Sequence, residues 1–245
     1  MKLNKGMILA GLAGLVIGGG AVGGLAATGK IAGQMDRAEI ENIVRDYLMT
    51  HPEVIPAAME RLQQREQAKQ IATYRSMLET PFPGAWAGNE KGDVVLVEFF
   101  DYACGYCRAS VKDVDRLLAS DPKLKIVFRE LPILSAESEQ AAKASLSAAQ
   151  AGKFYAFHSA LFAAGPLSSA SLNKTVDQAG IVPKLTDPAI AQELEKNVAI
   201  ARKLGFSGTP TFVVGDRVIS GAVGYDTLRQ AVADARKART AGQKD

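Results

Sequence analysis

This chain of 245 residues has few of the residues on which many structural sites depend: it contains two cysteines, two histidines and one tryptophan. Two cysteines cannot build a disulfide framework, and a zinc site with four ligands would need two further donors. The sequence has no tract rich in histidine or methionine, which argues against a metal-binding segment of that type. One chain alone therefore forms one disulfide bond or none.

A strong excess of charge of one sign is also missing. The chain carries 29 Lys and Arg against 26 Asp and Glu, a formal net charge of +3. Such a balance produces no strong field toward a polyanion. We expect no nucleic-acid partner.

The N-terminal segment predicts export. Lys2 and Lys5 precede residues 6–29, which carry no charge, and this order is typical of a segment that targets the export machinery. Gly24-Leu25-Ala26 fits a cleavage signal, whereas the length of the uncharged run is enough to span a bilayer. We expect residues 1–30 to be a signal peptide or a membrane anchor, with the rest of the chain in the periplasm, where disulfide chemistry is favoured.

Both cysteines lie in Cys104-Gly105-Tyr106-Cys107, which directly follows the apolar run 94–100 and opens a helical pattern. A bridge across so short a loop adds little stability, so its use lies in being broken and remade. The helix N-terminus stabilises a thiolate at Cys104, which we expect to be exposed. Cys107 would be shielded and would resolve a mixed disulfide. Gly105 permits close approach of a partner, and Tyr106 adds an aromatic surface.

Glu98 interrupts this otherwise apolar strand. Strands of this character are usually covered on both faces, and a carboxyl group buried there has a raised pKa. Glu98 would then accept the proton of Cys107. The alternative is that Glu98 lies at a solvated strand edge and pairs with a lysine.

A second segment, Gly208-Thr209-Pro210-Thr211, places a proline directly before a β-branched strand, where it marks the start of the strand. A cis Thr209-Pro210 bond would leave the backbone of Thr209 free to pair with an extended peptide. The residues alone favour the trans bond, because cis bonds before proline are rare in folded proteins.

Two helices are predicted before the cysteines, at about Asp36–Met49, with apolar residues on one face, and at about Glu53–Leu78, with a narrow apolar stripe. Such a stripe suits association with partner helices. The alternative is that the second helix packs against its own catalytic domain.

The remaining pattern predicts an α/β domain at 81–245, after a helical extension at 31–80. Its expected elements are strands at 94–100, 125–130, 211–214 and 217–219, a helix from Cys104 to about Ala119, a helix from Asp226, and four helices that end at Gly152, Gly165, Gly180 and Gly205. These four helices form an insertion at about 135–205.

Three segments together resemble the DsbA-like branch of the thioredoxin superfamily. Residues 97–107 resemble its active-site segment, with an acidic residue six positions before the first cysteine, and residues 128–133 and 208–212 resemble the next strand and the cis-proline loop. The resemblance implies a thioredoxin fold with a helical insertion and no cofactor beyond a redox-active Cys104–Cys107 disulfide.

Individual roles follow from the same resemblance. It implies that Cys104 is the nucleophile, Cys107 the resolving thiol and Glu98 the buried acid. Thr209 and a cis Pro210 would form the substrate-binding pair, alongside Gly105 and Tyr106.

Residues 45–55, followed by a charged helix, resemble the N-terminal extension of ScsC-like proteins, which implies a homo-oligomer through residues 36–78. Tyr106 and Thr209 resemble members that reduce or isomerise disulfides. We therefore expect an isomerase or reductase that acts on exported or unfolded client proteins and is kept reduced by a membrane-bound partner. The alternatives are a dithiol oxidase and a module that binds Cu(I) through both thiolates.

Overall fold

The computed structural model describes residues 36–241. The elements in chain order are α1 (Arg37–Thr50), α2 (Val54–Glu79), β1 (Trp86–Gly88), β2 (Val94–Phe100), α3 (Gly105–Ser120), β3 (Leu124–Glu130), α4 (Ala136–Gln150), α5 (Phe154–Ala163), α6 (Ser169–Ala179), α7 (Pro188–Lys203), β4 (Thr211–Val214), β5 (Arg217–Ser220) and α8 (Tyr225–Ala241). The predicted signal or anchor segment lies outside this range. Within 36–241, no helix is both long enough and apolar enough to cross a membrane.

The five strands form one mixed sheet in the order β1-β3-β2-β4-β5. β2 and β3 are parallel, and the other neighbouring pairs are antiparallel. The parallel pair is joined by α3, since parallel neighbours need a crossover connection. The predicted α/β fold is confirmed, and so is the helical insertion, which consists of α4 to α7 between β3 and β4.

Strand β2 is buried on both faces. Because successive side chains of a strand point to opposite faces of the sheet, β2 contributes to two separate core clusters. Leu96 and Phe100 belong to a cluster with α3, α4, α5, α6 and α8. Val97 and Phe99 belong to a second cluster with the C-terminal part of α2 and with α7. The first face is the one that carries the active-site helix.

The predicted caps of the insertion helices are present in the structure, whereas the bounds of the insertion stay a prediction. Ser135 accepts the N–H of Ser138 at 3.1 Å at the start of α4. Asp187 caps α7, with Pro188 in its first turn. Gly180 ends α6 in the left-handed conformation, which glycine adopts without the steric cost of a side chain.

The sequence did not predict β1, because its three residues are too few to show an alternating pattern. β1 pairs with β3 in antiparallel register, with Trp86 opposite Val127. It covers the outer edge of β3 and so leaves β2 and β3 inside the sheet.

Residues 36–59 and 60–241 belong to two separate compact units. In the first unit, Asp36 accepts the N–H of Glu39 at 2.8 Å, and His51 ends α1 as the predicted cap or turn residue. The division of the chain at residues 30 and 80 stays a prediction.

The second half of α2 packs against its own domain. Ile71 and Leu78 are buried in the second core cluster. The prediction that the whole apolar stripe of α2 serves partner helices is therefore wrong for Ile71, and the alternative holds for this half of the helix. The periodicity of the sequence could not distinguish packing against partner helices from packing against the same domain, since both arrangements bury the same face of α2.

Arg129 of β3 fastens this half of α2 to the domain. Its buried guanidinium donates to the carbonyl oxygens of Leu78 at 3.1 Å and Thr80 at 2.7 Å. It also donates to Glu193 at 2.9 Å and to Asn197 at 2.7 Å, both on α7. The final carbonyl groups of a helix have no partners within it, and Arg129 supplies partners here.

Candidate active site

Cys104 is the N-cap of α3. Its sulfur accepts the N–H of Cys107 at 3.3 Å, and its own N–H donates to the carbonyl oxygen of Asp101 at 3.0 Å. Both cysteines are free. The Cys104 sulfur thus lies at the N-terminal end of α3, which is the positive end of the helix dipole.

The two sulfurs are shielded to different degrees, but neither residue is widely open. Cys104 is 6% exposed and Cys107 is fully buried. The expectation that Cys104 is exposed is therefore wrong for the residue as a whole, because the Thr209 loop covers it: the Cys104 sulfur lies 3.2 Å from the Thr209 carbonyl oxygen. Gly105 and Tyr106 beside it are exposed, Tyr106 to 70%.

Glu98 lies on the same sheet face as the active-site helix. It is buried in the central strand, opposite Phe128 on β3 and Phe212 on β4, so its placement at a solvated edge is excluded. Burial raises the pKa of Glu98 to about 8. Its Oε2 atom finds no hydrogen-bond partner within residues 36–241.

Cys107 is affected by the same surroundings. Burial raises the pKa of the Cys107 thiol, and the negative charge of Glu98 raises it further. A thiol held in this way stays protonated until a base accepts its proton. Glu98 is a buried carboxyl group near enough to act electrostatically on Cys107, and its role as the proton acceptor stays a prediction.

The Thr209-Pro210 bond is cis, as the resemblance implied and against the expectation from the residues alone. The hydroxyl group of Thr209 is buried without a hydrogen-bond partner in the described part of the chain. The loop borders a cleft of about 330 Å³, lined by residues 205–211 together with Ser220 and Gly221. Thr209 thus lies beside the Cys104 sulfur, and the role of Thr209 and Pro210 in binding a client stays a prediction.

Asp101 is a structural residue of the site that the sequence analysis did not single out. Its carboxylate is buried and accepts the N–H of Ala103 at 2.8 Å through Oδ1. Its Oδ2 accepts the N–H groups of Ile133 at 2.9 Å and Leu134 at 3.0 Å. The signal available in the sequence was an acidic residue directly after a buried strand.

A second buried polar group lies under the insertion. The Tyr102 hydroxyl is 2.8 Å from Ser145 Oγ and 3.3 Å from His158 Nδ1. Burial lowers the pKa of His158 to about 3, so its ring is neutral at pH 7. Burial also raises the pKa of Glu130 well above its ordinary value. His158 is thus the packed helix residue that the sequence predicts.

The side chains of the site do not form a metal centre of the usual kind. Within residues 36–241, no group of three or more His, Cys, Asp or Glu side chains is arranged to hold a metal ion. The two sulfurs and the buried carboxyl group of Glu98 are the predicted reactive groups, and their roles stay predictions.

Family models match two parts of the chain. The model described as DSBA-like thioredoxin domain matches residues 95–233, which is more than half of the chain. The model described as Copper resistance protein ScsC N-terminal domain matches residues 36–69. The first match contains both cysteines, Glu98 and the Thr209-Pro210 pair.

Solved structures resemble the same fold. A thioredoxin-like oxidoreductase from Silicibacter pomeroyi DSS-3 is 39% identical, with a TM-score of 0.59, over 62% of this chain and 91% of that chain. A linker-deletion mutant of ScsC from Proteus mirabilis is 28% identical, with a TM-score of 0.67, over 85% of this chain and 99% of that chain. The predicted thioredoxin-like fold is confirmed.

Among curated proteins, the chain also matches part of a much longer protein. A Na(+)/H(+) antiporter of Salinispora tropica is 30% identical over 156 residues, which are 60% of this chain and 24% of the antiporter. The chain spans about a quarter of the length of the first curated relatives that it matches.

Proposed function

We propose that this chain, which belongs to the family of DSBA-like thioredoxin domains and is a thiol-disulfide oxidoreductase, reduces or isomerises wrong disulfides in exported proteins in the periplasm. The observation that carries the proposal is the pairing of a helix-capping Cys104 sulfur, 3.2 Å from the Thr209 carbonyl oxygen, with a buried Cys107. Cys104 keeps a small exposed area, whereas Cys107 behind it is fully buried.

The chemistry begins at Cys104. Its thiolate attacks one sulfur of a client disulfide, a new bond to Cys104 forms, and the other client sulfur leaves as a thiolate with the bonding electrons. Glu98 then accepts the Cys107 proton, and Cys107 attacks Cys104. This step releases the reduced client and leaves the Cys104–Cys107 disulfide, which is reductase turnover. In isomerase turnover, a second client thiolate attacks the mixed disulfide instead and regenerates the Cys104 thiol.

An oligomer would favour isomerase activity, because several clefts held together can act on one misfolded client. The four apolar residues Ile40, Ile43, Val44 and Tyr47 recur at helical spacing on α1, and each is about half exposed. Such a stripe supports association with helices of other copies. The match of residues 36–69 to the ScsC N-terminal model supports the same proposal.

The test removes this stripe without removing core residues. Because Ile71 and Leu78 are buried within 60–241, the deletion should cover 36–59 only. We expect loss of the oligomer in light scattering and a larger loss of activity on a scrambled disulfide substrate than on simple disulfide reduction. Equal losses in both assays would contradict the role of residues 36–59.

The direction of electron flow is tested by the redox state of the Cys104/Cys107 pair. If a membrane-bound partner supplies electrons, alkylation of intact cells should trap the pair mostly as dithiol, and purified protein should equilibrate with glutathione as a reducing couple. A pair that is mostly disulfide in cells would support the oxidase instead.

A second candidate function is binding of Cu(I) by the thiolates of Cys104 and Cys107, since soft thiolates suit this ion. The name of the N-terminal family model, which refers to copper resistance, favours it. Metal analysis of the reduced protein after incubation with Cu(I) tests it: stoichiometric copper that is lost in a Cys104→Ser variant supports this function.

A further inference from the structure

Asp101 lies directly after β2 and holds a buried carboxylate beside the active-site helix. The residue is 1% exposed. A buried charge is costly unless its oxygens are hydrogen-bonded, and three backbone N–H groups fill this need, those of Ala103 at 2.8 Å, Ile133 at 2.9 Å and Leu134 at 3.0 Å. These donors belong to two segments that are distant in the sequence, so the carboxylate joins them.

The bond to Ala103 belongs to the turn that leads into α3. Oδ1 of Asp101 accepts this N–H from two positions further on, which is the pattern of an Asx turn. The backbone carbonyl oxygen of Asp101 also accepts the N–H of Cys104 at 3.0 Å. Two bonds from one residue therefore set the course of the backbone directly before the Cys104 sulfur.

The second carboxylate oxygen ties this turn to the neighbouring strand. The backbone pairing of β2 with β3 ends at the N–H of Leu131, which donates to the carbonyl oxygen of Phe100 at 2.8 Å. Pro132 follows and has no N–H to donate. Oδ2 of Asp101 accepts the next two N–H groups of the chain. The side chain thus continues the connection between the two strands where their backbone pairing stops.

The Thr209 loop is attached to the other neighbour of β2. Thr211 begins β4 and lies opposite Phe99 of β2, and the carbonyl oxygen of Pro210 accepts the N–H of Gly221 at 2.8 Å. Strand pairing therefore holds this loop without any contribution from the active-site turn. The separation of 3.2 Å between the Cys104 sulfur and the Thr209 carbonyl oxygen depends on the turn being held as firmly as the loop.

We propose that Asp101 is a positioning residue that holds the Cys104 sulfur at the Thr209 loop, so that a client whose backbone pairs with Thr209 has its disulfide aligned with this sulfur. The inference deepens the proposed function and rests on its first step. Within residues 36–241, the carboxylate of Asp101 bonds to backbone N–H groups and not to either sulfur. Asp101 therefore acts through the backbone of Ala103 and Cys104.

A positioning role predicts that the loss depends on the substrate. Reactions between groups held in a defined geometry lose rate steeply when one group is displaced by a fraction of its own size. A loosened turn should therefore slow attack on a client that is held by its backbone. A small disulfide that is not held by the loop can adjust to the displaced sulfur, so its rate should change little.

The test compares a disulfide-bonded peptide with hydroxyethyl disulfide, which is uncharged and has no peptide backbone. Second-order rate constants for attack by Cys104 are measured with rising pH until they reach a plateau. At the plateau the thiol is fully ionised, so loss of the Asp101 charge does not change the rate through the fraction of thiolate. We expect Asp101→Ala to lower the plateau rate about tenfold for the peptide and less than about twofold for hydroxyethyl disulfide.

A second variant, Asp101→Asn, keeps the size of the buried side chain. Its amide group has one acceptor oxygen, which can serve either Ala103 or the pair Ile133 and Leu134. The plateau rate for the peptide should therefore lie between those of the wild type and Asp101→Ala. Circular dichroism checks that each variant is folded, and the Asn variant provides the test if the Ala variant is not.

Asp187 provides a matched control. Its Oδ1 accepts the N–H of Ala189, two positions further on, at 2.8 Å, which repeats the pattern of Asp101 and Ala103. This bond lies at the start of α7 in the insertion rather than at the active-site helix. Asp187→Ala should leave the ratio of the two plateau rates unchanged.

Three results would overturn the inference: equal losses on both disulfides in the Asp101 variants, no loss on the peptide, or the same change of ratio in Asp187→Ala. Failure of the proposed function has a different signature. The wild type would then form no mixed disulfide with the peptide, which would overturn the proposed function and the inference together before any variant is compared.

Discussion

The sulfur of Cys104 lies 3.2 Å from the carbonyl oxygen of Thr209. The two segments that the sequence analysis predicts to be the nucleophile and the client-binding loop therefore meet at one point, although they lie far apart in the sequence. In the proposed function, a client strand that pairs with the backbone of Thr209 would bring its own disulfide next to Cys104.

The first prediction separates the two sulfurs. Cys104→Ser should abolish attack on client disulfides, because no other thiol is near the surface of residues 36–241. Cys107→Ser should still attack, but its mixed disulfide should persist because the resolving thiol is missing. Non-reducing electrophoresis with a disulfide-bonded client measures both. A persistent client adduct in Cys104→Ser would contradict the assigned order.

The second prediction concerns Glu98. With its pKa raised to about 8, its carboxylate form becomes available as pH rises toward that value. Resolution of the mixed disulfide should therefore accelerate up to about pH 8 in the wild type. In the Glu98→Gln variant, the single-turnover rate of this resolution step should be lower and should show no rise with an inflection near pH 8. An unchanged inflection would assign it to another group.

Glu98 should also make the stability of the protein depend on pH, with stability falling as pH rises. A carboxylate stabilised by an ion pair has the opposite dependence. The folded-state pKa of Glu98 lies above the ordinary value of 4.5, so between about pH 4.5 and 8 the unfolded chain binds fewer protons than the folded chain. Stability is lost as pH rises through this window. Denaturant unfolding at pH 5 and pH 8 should show that Glu98→Gln removes a few kcal/mol of this loss, since one pKa unit corresponds to about 1.4 kcal/mol.

The third prediction concerns His158, which is buried with its pKa lowered to about 3. Between this value and the ordinary pKa of 6.5, the unfolded chain binds the extra proton. Stability therefore falls as pH drops below about 6.5. His158→Phe should remove about 2 kcal/mol of the difference between pH 7 and pH 5. Urea unfolding of the wild type and the variant at pH 7 and pH 5 checks this prediction. An equal change in the free energy of unfolding in the two proteins would contradict it.

The fourth prediction concerns Arg129. Its replacement by Met removes the partner of the carbonyl groups at the end of α2 and one of the two cations that pair with buried Glu193, the other being Lys196. Loss of one member of a buried ion pair costs about 3–5 kcal/mol, and we expect the lower end of this range because Lys196 still pairs with Glu193. Thermal and urea unfolding measure this cost. Arg37→Met provides the matched control, because the Arg37–Glu41 pair is exposed and should contribute less than about 0.5 kcal/mol.

Local patterns in the sequence were enough to predict the main strands, the active-site helix and the ends of the insertion helices. The apolar run of β2, the capping residues Ser135 and Asp187, and Gly180 each carry their signal within a few neighbouring residues. Glu98 could also be placed in the core, since a single charge in a strand covered on both faces has no exit to water.

The rest depended on contacts between distant segments. The shielding of Cys104 comes from Thr209, 105 positions away, and the function of Asp101 depends on Ile133 and Leu134. The packing of Ile71 could not be decided either, because a helix that binds its own domain and one that binds another copy have the same periodicity. β1 is too short to show any period.

Arg129 and Glu130 are adjacent, and strand alternation sends their side chains to opposite sides of the sheet. Arg129 bonds to the end of α2, whereas Glu130 lies close to the hydroxyl groups of Tyr102 and Ser145. A shift of this strand by a single residue would exchange the two environments. An insertion or deletion near position 129 would therefore disrupt both the attachment of α2 and the packing of β3 beneath the helical insertion.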